Sequence, residues 1–171
     1  TLTLDGPFAH EQDTALKPFT DHAMDVTFAN ETGTPTYHIP GYFAADGMAA
    51  NTSADSGTKW RAHLSPDKTG KWTWTVSFRT GTGVALGETE GESLSPYDGI
   101  TGSIEVDASE KSGRVFGGKG RLQYVGRHHL QFAGTGEPFL KAGADAPDPL
   151  LGYADFDNTI AGKPEKVPLK T

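Results

Sequence analysis

The sequence predicts an all-β protein, an immunoglobulin-like antiparallel β-sandwich followed by an irregular C-terminal extension. Three observations carry that expectation. Apolar residues make up only 35% of the 171 positions, while Gly and Pro number 22 and 11, a balance that favours turns over helix interiors. Apolar and polar residues alternate with a period of two in the most ordered segments, as they do on half-buried strands. Turn signals recur between those segments at the short spacing of a sandwich.

The strands can be justified in chain order. Thr1 to Leu4 suits an edge strand, and Ala23 to Ala29 places Met24, Val26 and Phe28 on one face. Glu31-Thr32-Gly33-Thr34-Pro35 turns the chain into a strand over Thr36 to Phe43. Only the loop from Ala44 to Ser53 or the segment from Ala144 to Asp157 has room for a helical turn. In Lys59 to Leu64, Trp60, Ala62 and Leu64 share a face opposite Arg61 and His63. Ser65-Pro66-Asp67-Lys68-Thr69-Gly70 is turn chemistry, and beyond it Trp72, Trp74, Val76 and Phe78 alternate with Thr73, Thr75 and Ser77. These two runs read as an antiparallel hairpin with one buried face. After the turn at Ser95 to Gly99, strands follow over Gly102 to Val106 and, past Gly117-Gly118-Lys119-Gly120, over Arg121 to Val125.

The sandwich is expected to span residues 1–126 and the extension 127–171. In the extension, His128 to Phe132 suits another strand, and Pro138 to Gly143 a short apolar strand running into an acidic loop. A strand releasing carboxylates from its C-terminal end is how the first unit of a barrel enzyme often begins. Lys163 to Thr171 has the composition of a connector.

Charge and motifs narrow the function. A net charge of −7 argues against a nucleic-acid partner, and no apolar run approaches the roughly 20 residues of a membrane span. The chain opens on Thr1 and has no cysteine, which suits a mature secreted chain and removes thiolate metal sites. The sequence contains no G-x-S-x-G, H-E-x-x-H or phosphate-loop motif. His128 and His129, as strand neighbours, point to opposite faces and make poor joint ligands. No cofactor is expected. Calcium is the one metal kept in view, because Asp46 to Asp55 and Asp145 to Asn158 offer oxygen ligands, although neither has the spacing of a calcium loop.

Asp145, Asp148, Asp155 and Asp157 could supply carboxylates for glycoside chemistry, but one loop does not make the opposed pair that such chemistry needs. The isolated chain is therefore not expected to be a catalyst. Aromatic side chains offer a different role, since sugar rings stack on them through their C–H faces. Trp72 and Trp74 share a face with Val76 and Phe78 and belong to the core. Tyr42, Tyr97 and Tyr153 stand beside turns, and Trp60 stands at the exit of a long loop. For an anionic glycan, Arg114, Lys119, Arg121 and Arg127 form a candidate cluster. The candidate ligand-binding residues are Tyr42, Trp60, Tyr97, Arg121, Arg127, Asp145, Asp148 and Tyr153.

Three stretches then acquire a common meaning: PGYFAADG (40–47), NTSADSGTKWRAHLSPDKTGKWTWTVSFRTG (51–81) and GKGRLQYVGRHHLQFAGTGEPFLKAGADAPDPLLGYADFDNT (118–159). Together they resemble the N-terminal region of bacterial glycoside hydrolases, and the sandwich resembles the family called domain of unknown function 5060. The most specific piece is P-D-x-x-G-x-W-x-[WY] in the 51–81 stretch. The resemblance implies an immunoglobulin-like domain preceding a catalytic barrel whose first segment is the acidic ending. It also implies a polysaccharide or oligosaccharide partner, and a secreted, periplasmic or cell-surface location. Where the family pattern has S-P-E-N, this chain has Ala146-Pro147-Asp148-Pro149, a shorter carboxylate followed by proline. The leading expectation is a non-catalytic accessory module that binds glycan or braces a catalytic domain. The alternatives are a glycoside hydrolase or lyase fragment whose Asp145 or Asp148 lines the active site, and a purely structural or adhesive sandwich.

Overall fold

The structure, a computed structural model, describes residues 1–111 and 116–141. It is almost all β, as the alternation predicts. One sheet has the order β1 (Leu2–His10), β5 (Ser56–Ala62), β4 (Tyr42–Phe43). The second has the order β3 (Thr36–Pro40), β2 (His22–Asn30), β6 (Gly70–Thr80), with β7 (Glu92–Ser93) and β8 (Thr101–Val106) both pairing with β6. A small third sheet joins β9 (Leu122–Tyr124), β10 (Leu130–Phe132) and β11 (Pro138–Phe139). Every pairing is antiparallel.

The spine is the β2–β6 ladder, with Met24 opposite Phe78, Val26 opposite Val76, and Phe28 opposite Trp74. Alternation along both strands turns these side chains inward, where Val26, Trp72, Val76 and Phe78 are fully buried. Trp74 packs against that core while remaining half-buried. Opposite this face, β5 contributes Trp60 and Ala62, also fully buried. Each fully buried large side chain is worth about 1.5–3 kcal/mol relative to exposure, so the interlocked indoles and phenyls form the main anchor of the sandwich.

The expected hairpin of residues 59–78 is corrected by this arrangement. Both strands form, but they do not pair with each other: β5 lies between β1 and β4, and β6 lies between β2 and β8. The Leu64–Thr69 connection carries the chain from one sheet to the other. Period-two alternation reports that one face of a strand is buried, and it does not say which strand supplies the ladder. The expected single strand over 36–43 is likewise divided. At Gly41 it leaves β2 and joins β5, with the Gly41 amide donating to the Met24 carbonyl at 2.6 Å.

Arg121 ties the third sheet to the sandwich. Arg121 lies over the Tyr37 ring at 5.2 Å, and Tyr37 stacks on Trp72 at 5.9 Å. The guanidinium donates to the Tyr37 hydroxyl and to Asp67, each at 2.9 Å, and Tyr37 also bonds Asp67. Burial works against the ionised form of Asp67, yet these partners hold its carboxyl below its ordinary value. The boundary expected at residue 126 falls between β9 and β10, which pair with each other.

Candidate functional site

A cleft of about 590 Å³ lies beside the edge strand β4. Its construction follows from the sheet switch at Gly41. After the switch, Phe43 points inward and is buried, so Tyr42 must point outward. Tyr42 stands opposite Arg61 of β5, and paired positions share a face, so ring and guanidinium are neighbours on the outer surface. Phe19 reaches the same cleft from the loop before β2 and meets Phe43 edge-on at 6.3 Å. Met48, Asn51 and Glu11 complete its polar and apolar rim.

Large rings are left open here. Tyr42 is 46% exposed and Phe19 is 56% exposed, whereas a β-sandwich buries most aromatics in its core. The Tyr42 ring is fixed rather than loose. His63 stacks on it at 5.7 Å with the planes 18° apart, and Tyr42 Oη and His63 Nε2 are 3.0 Å apart. His63 Nδ1 lies 2.9 Å from Thr1 Oγ1, which anchors the pair to β1.

The floor is set by the loop after β4. The short helix α1 (Ala49–Thr52) occupies the region where a helical turn is expected. Asp46 organises it, accepting from the Met48 amide at 2.6 Å and the Thr52 hydroxyl at 2.7 Å. Those two bonds, first Thr52 and then Met48, hold the Asp46 carboxyl below its ordinary value, and Arg61 adds a smaller effect. Gly47 has φ +83°, and a Cβ there would lie 2.9 Å from Arg61 Nη2, so the guanidinium closes over a position that only glycine fills without strain. Arg61 Nε donates to Thr3 Oγ1 at 3.2 Å, and its terminal nitrogens have no hydrogen-bond or ion-pair partner among the described residues. A second cavity of about 210 Å³ adjoins, sharing Phe19, Tyr42 and Phe43 and reaching the buried His22.

The expected site residues separate accordingly. Tyr42 lines the cleft. Trp60 does not, and that expectation is corrected: it is 1% exposed, its Nε1 donates to the Pro7 carbonyl at 3.1 Å, and Phe78, Phe43 and His22 surround it. Its phase with Leu64, which pointed to the core, prevails over its position after a loop. Tyr97 is half-buried with its ring 6.0 Å from Phe78, so it too packs inward instead of offering a free face. Arg121 is held by Asp67, and Lys119 by Glu137. Arg127 is exposed at the turn between β9 and β10, away from the cleft lining. Two of the four basic residues, Lys119 and Arg121, are thus engaged by carboxylates. Asp145, Asp148, Tyr153 and Arg114 lie outside the described residues.

The sequence reading did not single out Phe19, Met48 or Arg61. Phe19 carried the clearest signal, as a large ring directly after proline in the turn Leu16-Lys17-Pro18-Phe19-Thr20. For calcium, Asp46 is satisfied within its own loop and Asp55 faces His10 at 3.3 Å. No group of three or more metal-ligating acidic or histidine side chains converges among the described residues.

Residues 1–79 match the model of the family described as "Domain of unknown function (DUF5060)", which bears out the family resemblance over that stretch. No curated protein matches the chain. Among solved structures, the chain is similar to "a putative glycoside hydrolase from Bacteroides vulgatus" with 16% identity and a TM-score of 0.48. The similarity covers 81% of this chain and 19% of that one, so the chain spans about a fifth of the length of the protein it resembles. No helix among the described residues is long and apolar enough to cross a membrane.

Proposed function

We propose that the chain is a non-catalytic module of a secreted polysaccharide-degrading enzyme, and that it binds glycan in the cleft beside Tyr42. The observation that carries this reading is the fixed, half-exposed Tyr42 ring set next to Phe19 and within a cleft rimmed by Arg61, Asn51 and Glu11. A sugar ring needs an apolar platform for its C–H face and a few placed polar groups for its hydroxyls, and this cleft supplies both. The family match over residues 1–79 and the resemblance of the 118–159 stretch to the region where a barrel begins support an enzyme context. On this reading a catalytic barrel follows the module in the full protein.

Calorimetry and affinity electrophoresis against xylan, glucan and mannan oligosaccharides test the reading. Removing the platform in Tyr42→Ala should weaken binding by about tenfold, since a stacked ring contributes roughly 1–1.5 kcal/mol and each 1.4 kcal/mol is a factor of ten. Tyr124→Ala, at an exposed ring on β9, should leave affinity unchanged. Absence of binding across the panel, or equal affinity in Tyr42→Ala, would overturn the reading.

A further inference from the structure

Resting on the glycan-binding reading of the same cleft, we infer that its preferred ligand is an acidic glycan in which neutral sugars flank a single uronic acid, with Arg61 as the carboxylate anchor. The guanidinium of Arg61 is oriented by one hydrogen bond and interacts with the Asp46 carboxylate only at longer range. Its Nε is committed to Thr3 Oγ1 at 3.2 Å, and its terminal nitrogens stand over Gly47 in the cleft with no hydrogen-bond or ion-pair partner among the described residues. Asp46, whose charge Arg61 senses, spends its oxygens on Met48 and Thr52. A guanidinium offering paired donors in a partly apolar cleft suits a planar carboxylate far better than a single hydroxyl.

Geometry sets where that carboxylate must be. Tyr42 and Arg61 are directly paired across β4 and β5, so their Cβ atoms are about 4.5–5.5 Å apart on one face. A pyranose stacked on Tyr42 therefore has the Arg61 side chain beside it on the same face, within reach of a carboxylate on its rim. A contiguous polyuronate is the poorer fit. Arg61 is the one cation among the described residues lining the cleft and the chain carries a net charge of −7, so each further carboxylate meets no second guanidinium and a net repulsive field.

The test uses a matched pair of ligands, xylo-oligosaccharides carrying one glucuronic acid branch and the same oligosaccharides after reduction of the carboxyl group, titrated into the whole chain by calorimetry. Wild type should bind the acidic member about tenfold more tightly. Arg61→Gln should abolish that preference while keeping the weaker affinity for the reduced member, and Arg61→Lys, which retains charge without the fork, should recover only part of it. Circular dichroism confirms folding of each variant. Equal affinity for the two members in wild type, or a preference that survives in Arg61→Gln, would overturn the carboxylate assignment and leave the Tyr42 cleft standing. Binding of neither member, nor of the neutral panel, would remove both.

Discussion

Replacing Gly6 by alanine tests the packing that separates Trp60 from the ligand-facing aromatics. β1 shifts register against β5 between Asp5 and Ala9, and in that irregular segment the Gly6 backbone lies against the indole. A Cβ at Gly6 would stand 2.4 Å from Trp60 Cδ1, 2.9 Å from Nε1 and 3.1 Å from Cγ. Packed carbons sit about 3.5–4.0 Å apart, so the ring must move by roughly 1 Å. It has nowhere to go, with Phe78 at 5.0 Å, Phe43 at 5.3 Å and His22 at 5.6 Å between ring centres. Overpacking of this kind costs about 1–3 kcal/mol, and a rigid ring puts Gly6→Ala toward the upper end. The stiffer unfolded chain returns about 0.4–1 kcal/mol, because the φ of Gly6 is outside the left-handed region. The net expectation is a loss of about 2 kcal/mol, or a melting temperature lower by roughly 4–8 °C in a chain of this size. Urea denaturation followed by tryptophan fluorescence would read the change as a lower midpoint with an unchanged slope. In a Trp60→Leu background the same alanine should cost less than about 0.5 kcal/mol, since the clashing ring is gone. A neutral Gly6→Ala, or an equal cost in both backgrounds, would refute the reasoning.

Other expectations concern charge and the small sheet. Burial pushes the pKa of His22 below its ordinary 6.5, while Asp21 and Asp13 partly oppose the shift. The unfolded chain then takes up the proton first as pH falls, so this contribution to stability is complete above pH 6.5 and is lost progressively below it. Urea midpoints should fall between pH 7 and 5, and His22→Gln should flatten that slope; an unchanged slope would count against a buried neutral imidazole. Arg121→Ala should raise hydrogen exchange at the β9 and β10 amides while leaving β2 and β6 protected, because Arg121 ties Tyr37 and Asp67 to the small sheet. Equal protection of β9 in the variant would show that other contacts hold the sheet in place.

Local periodicity made the inward faces of β2, β5 and β6 legible, because which residues face the core follows from alternation alone. Which sheet each strand joins was not legible. The Ser65–Gly70 segment has the composition of a hairpin turn, yet it leads from β5 in one sheet to β6 in the other, with Trp60 and Trp72 both buried in the core between them. Tyr42 could be singled out because it precedes a turn and alternates with an apolar neighbour. Arg61 and Phe19 became part of a site only when the chain switched sheets at Gly41 and brought β4 alongside β5. Trp60 was misplaced for the opposite reason: proximity to a loop in the sequence says little about exposure when a strand is central in its sheet. The acidic ending, with Asp145 and Asp148, lies beyond the described residues, so its role rests on the family resemblance.

The most direct measurement is an amide chemical-shift map of the whole chain titrated with the singly branched acidic xylo-oligosaccharide. Perturbations should concentrate at Phe19, Tyr42 to Asn51 and Arg61, with the strands around Trp74 and the small sheet unmoved. Shifts centred on Trp74 and Ile104 or on Tyr124, or none at saturating sugar, would contradict binding in the Tyr42 cleft.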